Sequence, residues 1–171
     1  MRIGIVNDVA ALGFDPAMAQ VTAQAGAALV LMHSIGTPVS MQDDPRYDDV
    51  LLDVYDYLAA RVAQAEAAGI PRARLMIDPG IGFGKTEVHN LTLLKRLSLF
   101  HGLGLPVLLG VSRKRFIGTI GRQEVAERRV PGSLAVALAG VAQGAQVLRV
   151  HDVAETRQAL LLWQAVNGVS E

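Results

Sequence analysis

Short apolar runs at 3–6, 29–32, 75–77, 107–111 and 147–150 are rich in leucine and β-branched residues and carry few charges. They lack the alternation of a half-exposed strand, so they predict strands of a parallel sheet buried on both faces. Between the runs the apolar positions adopt helical spacing. Asp15 followed by Pro16 predicts an N-cap with proline in the first turn, and Gly26 closes that helix. Val50, Leu51, Val54, Leu58, Val62 and Ala65 keep one apolar face through a long helix that Gly69 and Pro71 end. Leu91, Leu94 and Leu97 predict the buried face of the next, before the break at Gly102, Gly104 and Pro106. The small residues of 132–144 suit a helix packed closely on a sheet, and 155–163 predict the last helix. The pattern is a βα unit repeated five times.

Such alternation predicts an α/β fold with right-handed parallel crossovers, either a doubly wound sheet or a barrel. The polar residues decide between them. Asn7-Asp8, His33-Ser34, Asp78-Pro79-Gly80, Ser112-Arg113-Lys114 and Arg149 to Asp152 each end or follow a strand. A doubly wound sheet concentrates ligand groups at one switch point, whereas successive strands of a barrel all contribute to one rim. The expectation is therefore a TIM (β/α)8-type barrel. A full barrel takes eight units and about 250 residues, so residues 1–171 read as one partial domain, an N-terminally truncated set of about five units. Its open, apolar sheet edges predict a homodimer or other self-association.

Composition narrows the function. With 51% hydrophobic residues the chain has material for one substantial core. Sixteen basic residues balance sixteen acidic ones, so no broad basic field is offered to nucleic acid, and a charged ligand must be met locally. Cysteine is absent, which excludes thiolate metal sites and is compatible with a reducing compartment. No membrane-spanning run and no signal-peptide pattern is read, so the expected location is the cytoplasm.

The segment DPGIGFGK at 78–85 places a carboxylate at a strand end, followed by alternating glycines. It is neither a phosphate-binding loop with glycine five positions before Gly84-Lys85 nor a G-x-G-x-x-G fingerprint. Glycines there let backbone approach a flat ligand, and Phe83 between two of them reads as a ligand wall. Ser112-Arg113-Lys114-Arg115 is either a solvated basic turn or an anion site, and Gly110 just before it favours close approach of a ligand. Arg149 and His151 alternate on the last strand and face the same way. A buried arginine needs a partner, which is either an anion or one of Asp78, Asp8 and Asp152. Asn7 and Asp8 point to opposite faces, and Asp8 reads as a cap. His33 and Met32 read as structural residues, the acidic residues 43–49 as complementing the following helix N-terminus, and Trp163 as packing. No metal-ligand cluster is found in the sequence.

In combination, IVNDV, LMHSIGTP, MIDPGIGFGKT, PVLLGVSRKRFIG and VLRVHDV occur in an order that resembles the dihydropteroate synthase family across essentially the whole chain. The resemblance implies joining of p-aminobenzoate to a hydroxymethyl-dihydropterin diphosphate, releasing diphosphate and forming dihydropteroate for folate synthesis. It implies that Asn7, Met32, Asp78, Gly82 and Lys114 bind the pterin and that Arg149, Val150 and His151 bind the diphosphate. It places Phe83 and Ser112 on the p-aminobenzoate side, where sulfonamides compete. It also implies Mg²⁺, whose family ligand lies in an N-terminal part with no counterpart in this sequence. Two alternatives stay open: a non-catalytic fragment keeping a pterin pocket, and another pterin-using barrel such as a methyltetrahydrofolate methyltransferase. SRK with RVHDV argues against the latter.

Overall fold

The computed structural model describes residues 4–35 and 45–168. Ile3, Gly36 to Pro38 and the acidic residues Asp43 and Asp44, all used in the sequence reading, lie outside them. The elements run β1 (Ile5–Asp8), α1 (Met18–Ala25), β2 (Ala28–Met32), α2 (Val50–Ala67), β3 (Leu75–Asp78), α3 (Glu87–Lys95), β4 (Leu108–Leu109), α4 (Arg115–Ile120), α5 (Val130–Ala142), β5 (Val147–Leu148) and α6 (Val153–Val166).

All strand pairs are parallel: β1 with β2, β2 with β3, and β4 with β5. A single bridge from Ile77 to Val107 joins the two ladders. Strand order thus follows chain order among the described residues, with none of the reversal that a doubly wound sheet requires. Every polar strand end consequently comes to the same edge.

Helix α2 buries the side chains its period selects, Val50, Leu51, Val54, Leu58, Val62 and Ala65. Its N-cap is Asp49, whose carboxylate accepts the amides of Leu51 and Leu52. A Cβ at Gly140 would overlap Leu109 Cδ2, so the small-residue helix α5 lies directly on β4, as its composition predicts. The core that results includes Leu29, Leu31, Val54, Leu58, Ile77, Leu97, Phe100 and Leu109, all fully enclosed.

Four local expectations are corrected. Helix α1 begins at Met18, because the Asp15 carboxylate accepts the Ala17 amide at 2.8 Å in a preceding turn rather than capping the helix. The buried face of α3 is Asn90 and Leu93, continuing to Leu97 in a 3-10 turn, while Leu91 and Leu94 are half-buried. Strands β4 and β5 are two residues each. Pro106 has no amide to extend the ladder, which ends instead with the Arg149 amide donating to the Leu109 carbonyl at 3.0 Å. Strand β1 is not enclosed on both faces: Ile5 is 60% exposed and Val9 beyond it 48%. Helix α4, absent from the sequence reading, follows the SRK segment directly.

Candidate functional site

The common edge of the strands holds a recess of about 90 Å³ lined in part by Asn7, Met32, Asp78, Phe83, Lys114 and Arg149. These are six of the ten residues singled out in the sequence, drawn from the ends of all five strands. Met32 and Asp78 are register partners on β2 and β3, so their side chains leave the sheet on the same side. Gly82 adjoins them, since a Cβ there would stand 3.2 Å from Lys114 Cδ. Ser112, Lys114, Arg149 and His151 line a wider, neighbouring concavity with Arg113 and Glu127. Val150 is half-buried and lines neither of these.

Asp78 forms the floor. It is only 5% exposed, and among the described hydrogen bonds its carboxylate accepts one, from the Gly80 amide to Oδ1 at 2.8 Å. Burial pushes its carboxyl up to about 6, against the pull of the Gly80 amide and of the charges on Lys114, Lys85 and Arg149. The Lys114 ammonium lies 4.0 Å from the centroid of the Phe83 ring, a cation–π contact that draws the cation and the aromatic wall together. Burial lowers the Lys114 pKa, and Asp78 opposes that shift.

The glycines of the 78–85 segment divide differently from the expectation. Gly80, Gly82 and Gly84 all have positive φ. A Cβ at Gly80 would overlap the His33 carbonyl oxygen, and one at Gly84 would overlap Ile35 Cγ1. These two glycines therefore let the loop pass against the segment after β2, and only Gly82 of the three faces a site residue.

The loop is held from behind by residues that sequence reasoning missed. Lys85 is 3% exposed. Its ammonium donates to the carbonyls of Gly80 and Phe83, each at 3.0 Å, and sits 2.8 Å from His33 Nδ1. Burial lowers Lys85 to about 7, opposed by Asp78, and burial together with Lys85 lowers His33 to about 3. His33 is thus neutral, with Nδ1 free to accept, and takes the structural place expected of it. Asn90 accepts the Gly82 amide at 2.7 Å and donates to the Thr86 carbonyl at 2.9 Å, and Tyr47 donates to the Gly84 carbonyl at 2.7 Å. A lysine at the end of a glycine loop carries no sequence mark of burial, and the Thr86-x-x-His89 box marks only where α3 begins.

Arg149 departs from its expected burial. It is exposed, and two of its three rival partners are engaged elsewhere. Asp152 makes a two-point ion pair with Arg113, with Nε to Oδ2 at 3.1 Å, and Asp8 accepts the amides of Ala10 and Leu12 at 2.9 and 2.7 Å. The Arg113–Asp152 pair ties the β4 loop to the β5 loop. In the same corner Ser112 Oγ accepts the His151 amide at 3.2 Å and lies 2.9 Å from His151 Nδ1. The hydroxyl thus holds both the backbone and the ring of His151, and the direction of the ring contact follows the imidazole tautomer. Among the described residues no three His, Cys, Asp or Glu side chains gather to hold a metal ion.

Residues 2–151 match the family described as pterin binding enzyme. The chain is 47% identical to the dihydropteroate synthase of Neisseria meningitidis serogroup C over 165 residues, covering 96% of this chain and 58% of that protein. It is 45% identical to the dihydropteroate synthase of Stenotrophomonas maltophilia solved with imidazole in its active site, with a TM-score of 0.93, covering 98% of this chain and 63% of that one. A Xanthomonas albilineans dihydropteroate synthase in complex with 7,8-dihydropteroate is likewise 45% identical, with a TM-score of 0.89 and coverage of 97% and 60%. This chain spans 58% of the length of the Neisseria relative.

Proposed function

The chain belongs to the pterin-binding enzyme family, and from that premise we propose that it carries the chemistry of dihydropteroate synthase. In that reaction p-aminobenzoate joins a hydroxymethyl-dihydropterin diphosphate, giving dihydropteroate and diphosphate for folate synthesis. The five parallel units in chain order are then an arc of a (β/α)8 barrel, and the common strand edge is its catalytic rim.

One observation carries this reading: a nearly buried carboxylate, Asp78, with a single described hydrogen bond, flanked by Lys114 and Phe83. The aminopyrimidinone edge of a pterin offers adjacent N–H donors, which a fixed carboxylate accepts in parallel. Asn7 adds an amide at the end of β1, Met32 packs against the ring face, Gly82 keeps the loop thin beside it, and Lys114 donates to its acceptors. The diphosphate lies toward the exposed Arg149 fork, the Val150 backbone and the His151 imidazole. As the C–O bond to diphosphate breaks, these donors stabilise the charge that develops on the leaving oxygens. The amine of p-aminobenzoate, bounded by Phe83 and Ser112, then forms the C–N bond at the pterin methylene and releases a proton to solvent.

The resemblance also implies Mg²⁺, and among the described residues no three His, Cys, Asp or Glu side chains gather to hold it. Self-association and a cytoplasmic location belong to the same proposal; the exposed Ile5 on β1 and Leu162 and Val166 on α6 supply apolar surface for the former.

The recess of about 90 Å³ adjoins the wider concavity through Gly110, Lys114 and Arg149, and the rival reading is a chain that binds pterin there without turnover. The discriminating experiment supplies the purified chain with pterin diphosphate, p-aminobenzoate and Mg²⁺ and measures diphosphate release together with dihydropteroate formation. Both products appearing in equal amounts supports the synthase; pterin binding with neither product supports the rival.

A further inference from the structure

Three cations surround Asp78, and they are not equivalent. Arg149 is exposed, and Lys114 is half-buried with its ammonium over Phe83, so both are available to a ligand and divide their interactions with it. Lys85 is sealed behind the loop by the carbonyls of Gly80 and Phe83 and by His33, whose ring packs edge-on to Tyr57 at 4.8 Å. Three donors meet three acceptors, which leaves no N–H for a substrate.

We infer that Lys85 is a positioning residue of the site that acts through Asp78: its enclosed ammonium holds the carbonyl of Gly80, whose amide is the one described donor to the Asp78 carboxylate, and its charge supports that carboxylate at the floor of the recess. This rests on the proposed pterin reading of that recess. A buried carboxylate with one hydrogen bond is costly unless a charge compensates it, and the enclosed ammonium, lowered by burial to about 7, supplies that charge below its midpoint without being recruited by the substrate. The same three bonds hold Gly80 and Phe83, so the residue that sets the charge of the floor also sets the loop beside it. The charged and titratable groups facing the pair are His33 after β2, Lys114 after β4, Arg149 after β5 and His89 on α3.

The test is the pH profile of binding of the bare hydroxymethyl-dihydropterin to the full chain and to Lys85→Met. The inference expects the acid limb of binding, set by Asp78, to move up by about one pH unit in the variant, in the range an adjacent opposite charge produces. The variant then loses several-fold in affinity near pH 6 and recovers most of it at pH 8.5. An equal loss at both pH values would show a role in loop structure alone and overturn the inference. A second measurement needs no variant: the Asp78 carboxyl carbon and the Lys85 ε-carbon, followed by NMR in the unliganded chain, should share a step at the Lys85 midpoint. Independent titration of the two would overturn the inference even if Lys85→Met does not fold. Failure of the pterin reading looks different, because the wild-type chain would then bind no pterin while the shared titration step remained.

Discussion

Ser112 Oγ stands 2.9 Å from His151 Nδ1 and also accepts the His151 amide, so residues assigned to the p-aminobenzoate side and to the diphosphate side share one wall. The serine hydroxyl holds the imidazole in one orientation at that wall. Ser112→Ala removes that constraint, and affinity for pterin diphosphate is expected to fall about 5- to 10-fold, the worth of one hydrogen bond. Affinity for the bare pterin alcohol should stay within two-fold. Titration calorimetry with both ligands checks this, and an equal loss for the two would remove the serine from the diphosphate site.

Arg149 is expected to act on charge rather than on the pterin ring. Arg149→Ala should weaken pterin diphosphate by roughly 10-fold or more, the scale of a charge-assisted bond, and leave the alcohol nearly unchanged. Raising the salt concentration should weaken wild-type binding of the diphosphate and have much less effect on the variant. Parallel losses for both ligands would point to a structural arginine.

Asp78 carries a stability consequence with a definite sign. Its carboxyl titrates at about 6 in the folded chain and near 3.8 when unfolded. Between these values the folded state holds the extra proton, so stability falls as pH rises through that window and stays reduced above it. Asp78→Asn abolishes the fall. The variant should exceed wild type by about 1–2 kcal/mol at pH 7.5 and by little at pH 4. Each tenfold change in proton affinity is worth ~1.4 kcal/mol, and the gain is smaller than that alone would give because Lys85 and Lys114 lose their partner. Urea unfolding at the two pH values decides it. A difference that does not vary with pH would contradict the burial of this carboxyl.

Two glycines with positive φ separate backbone strain from collision. At Gly69, φ is 91° and nothing lies within 4 Å of an added Cβ, so Gly69→Ala should cost about 1–2 kcal/mol of strain alone. At Gly80, φ is 69° and the Cβ meets the His33 carbonyl. Gly80→Ala should cost about 4 kcal/mol or leave the chain unfolded. Comparable costs in thermal or urea unfolding would mean that the loop does not pack against His33.

What was legible in the sequence follows from which signals are local. The α2 face from Val50 to Ala65 is a period, and a period survives folding whenever one face meets a sheet. Asp78 and the Ser112-Arg113-Lys114 turn were singled out because each ends or follows an apolar run, and parallel order brings such ends together, whereas Met32 read as structural and joined the site only through the family resemblance. Lys85 was not found, because its burial depends on carbonyls of its own loop and on a histidine 52 residues away. Gly80 and Gly84 were assigned to a ligand because a positive-φ glycine does not say what passes beside it. Arg149 was expected to be buried because it alternates with His151 on the last strand and was read as facing a barrel lumen, yet β5 ends at Leu148 and Arg149 is exposed. The inward turn of Asn90, which displaces Leu91 and Leu94 from the expected face, is decided by the Gly82 amide, which no helical period encodes.

The decisive measurement is a direct titration of the wild-type chain and of Asp78→Ala with hydroxymethyl-dihydropterin at pH 7.5, with unfolding curves recorded for both. A pterin-binding floor at Asp78 requires saturable binding by the wild type and a loss of at least about 100-fold in the variant, given that two charge-assisted bonds disappear together, with the fold retained. Binding that survives the substitution in a folded chain would place the pterin elsewhere and contradict the site built around this carboxylate.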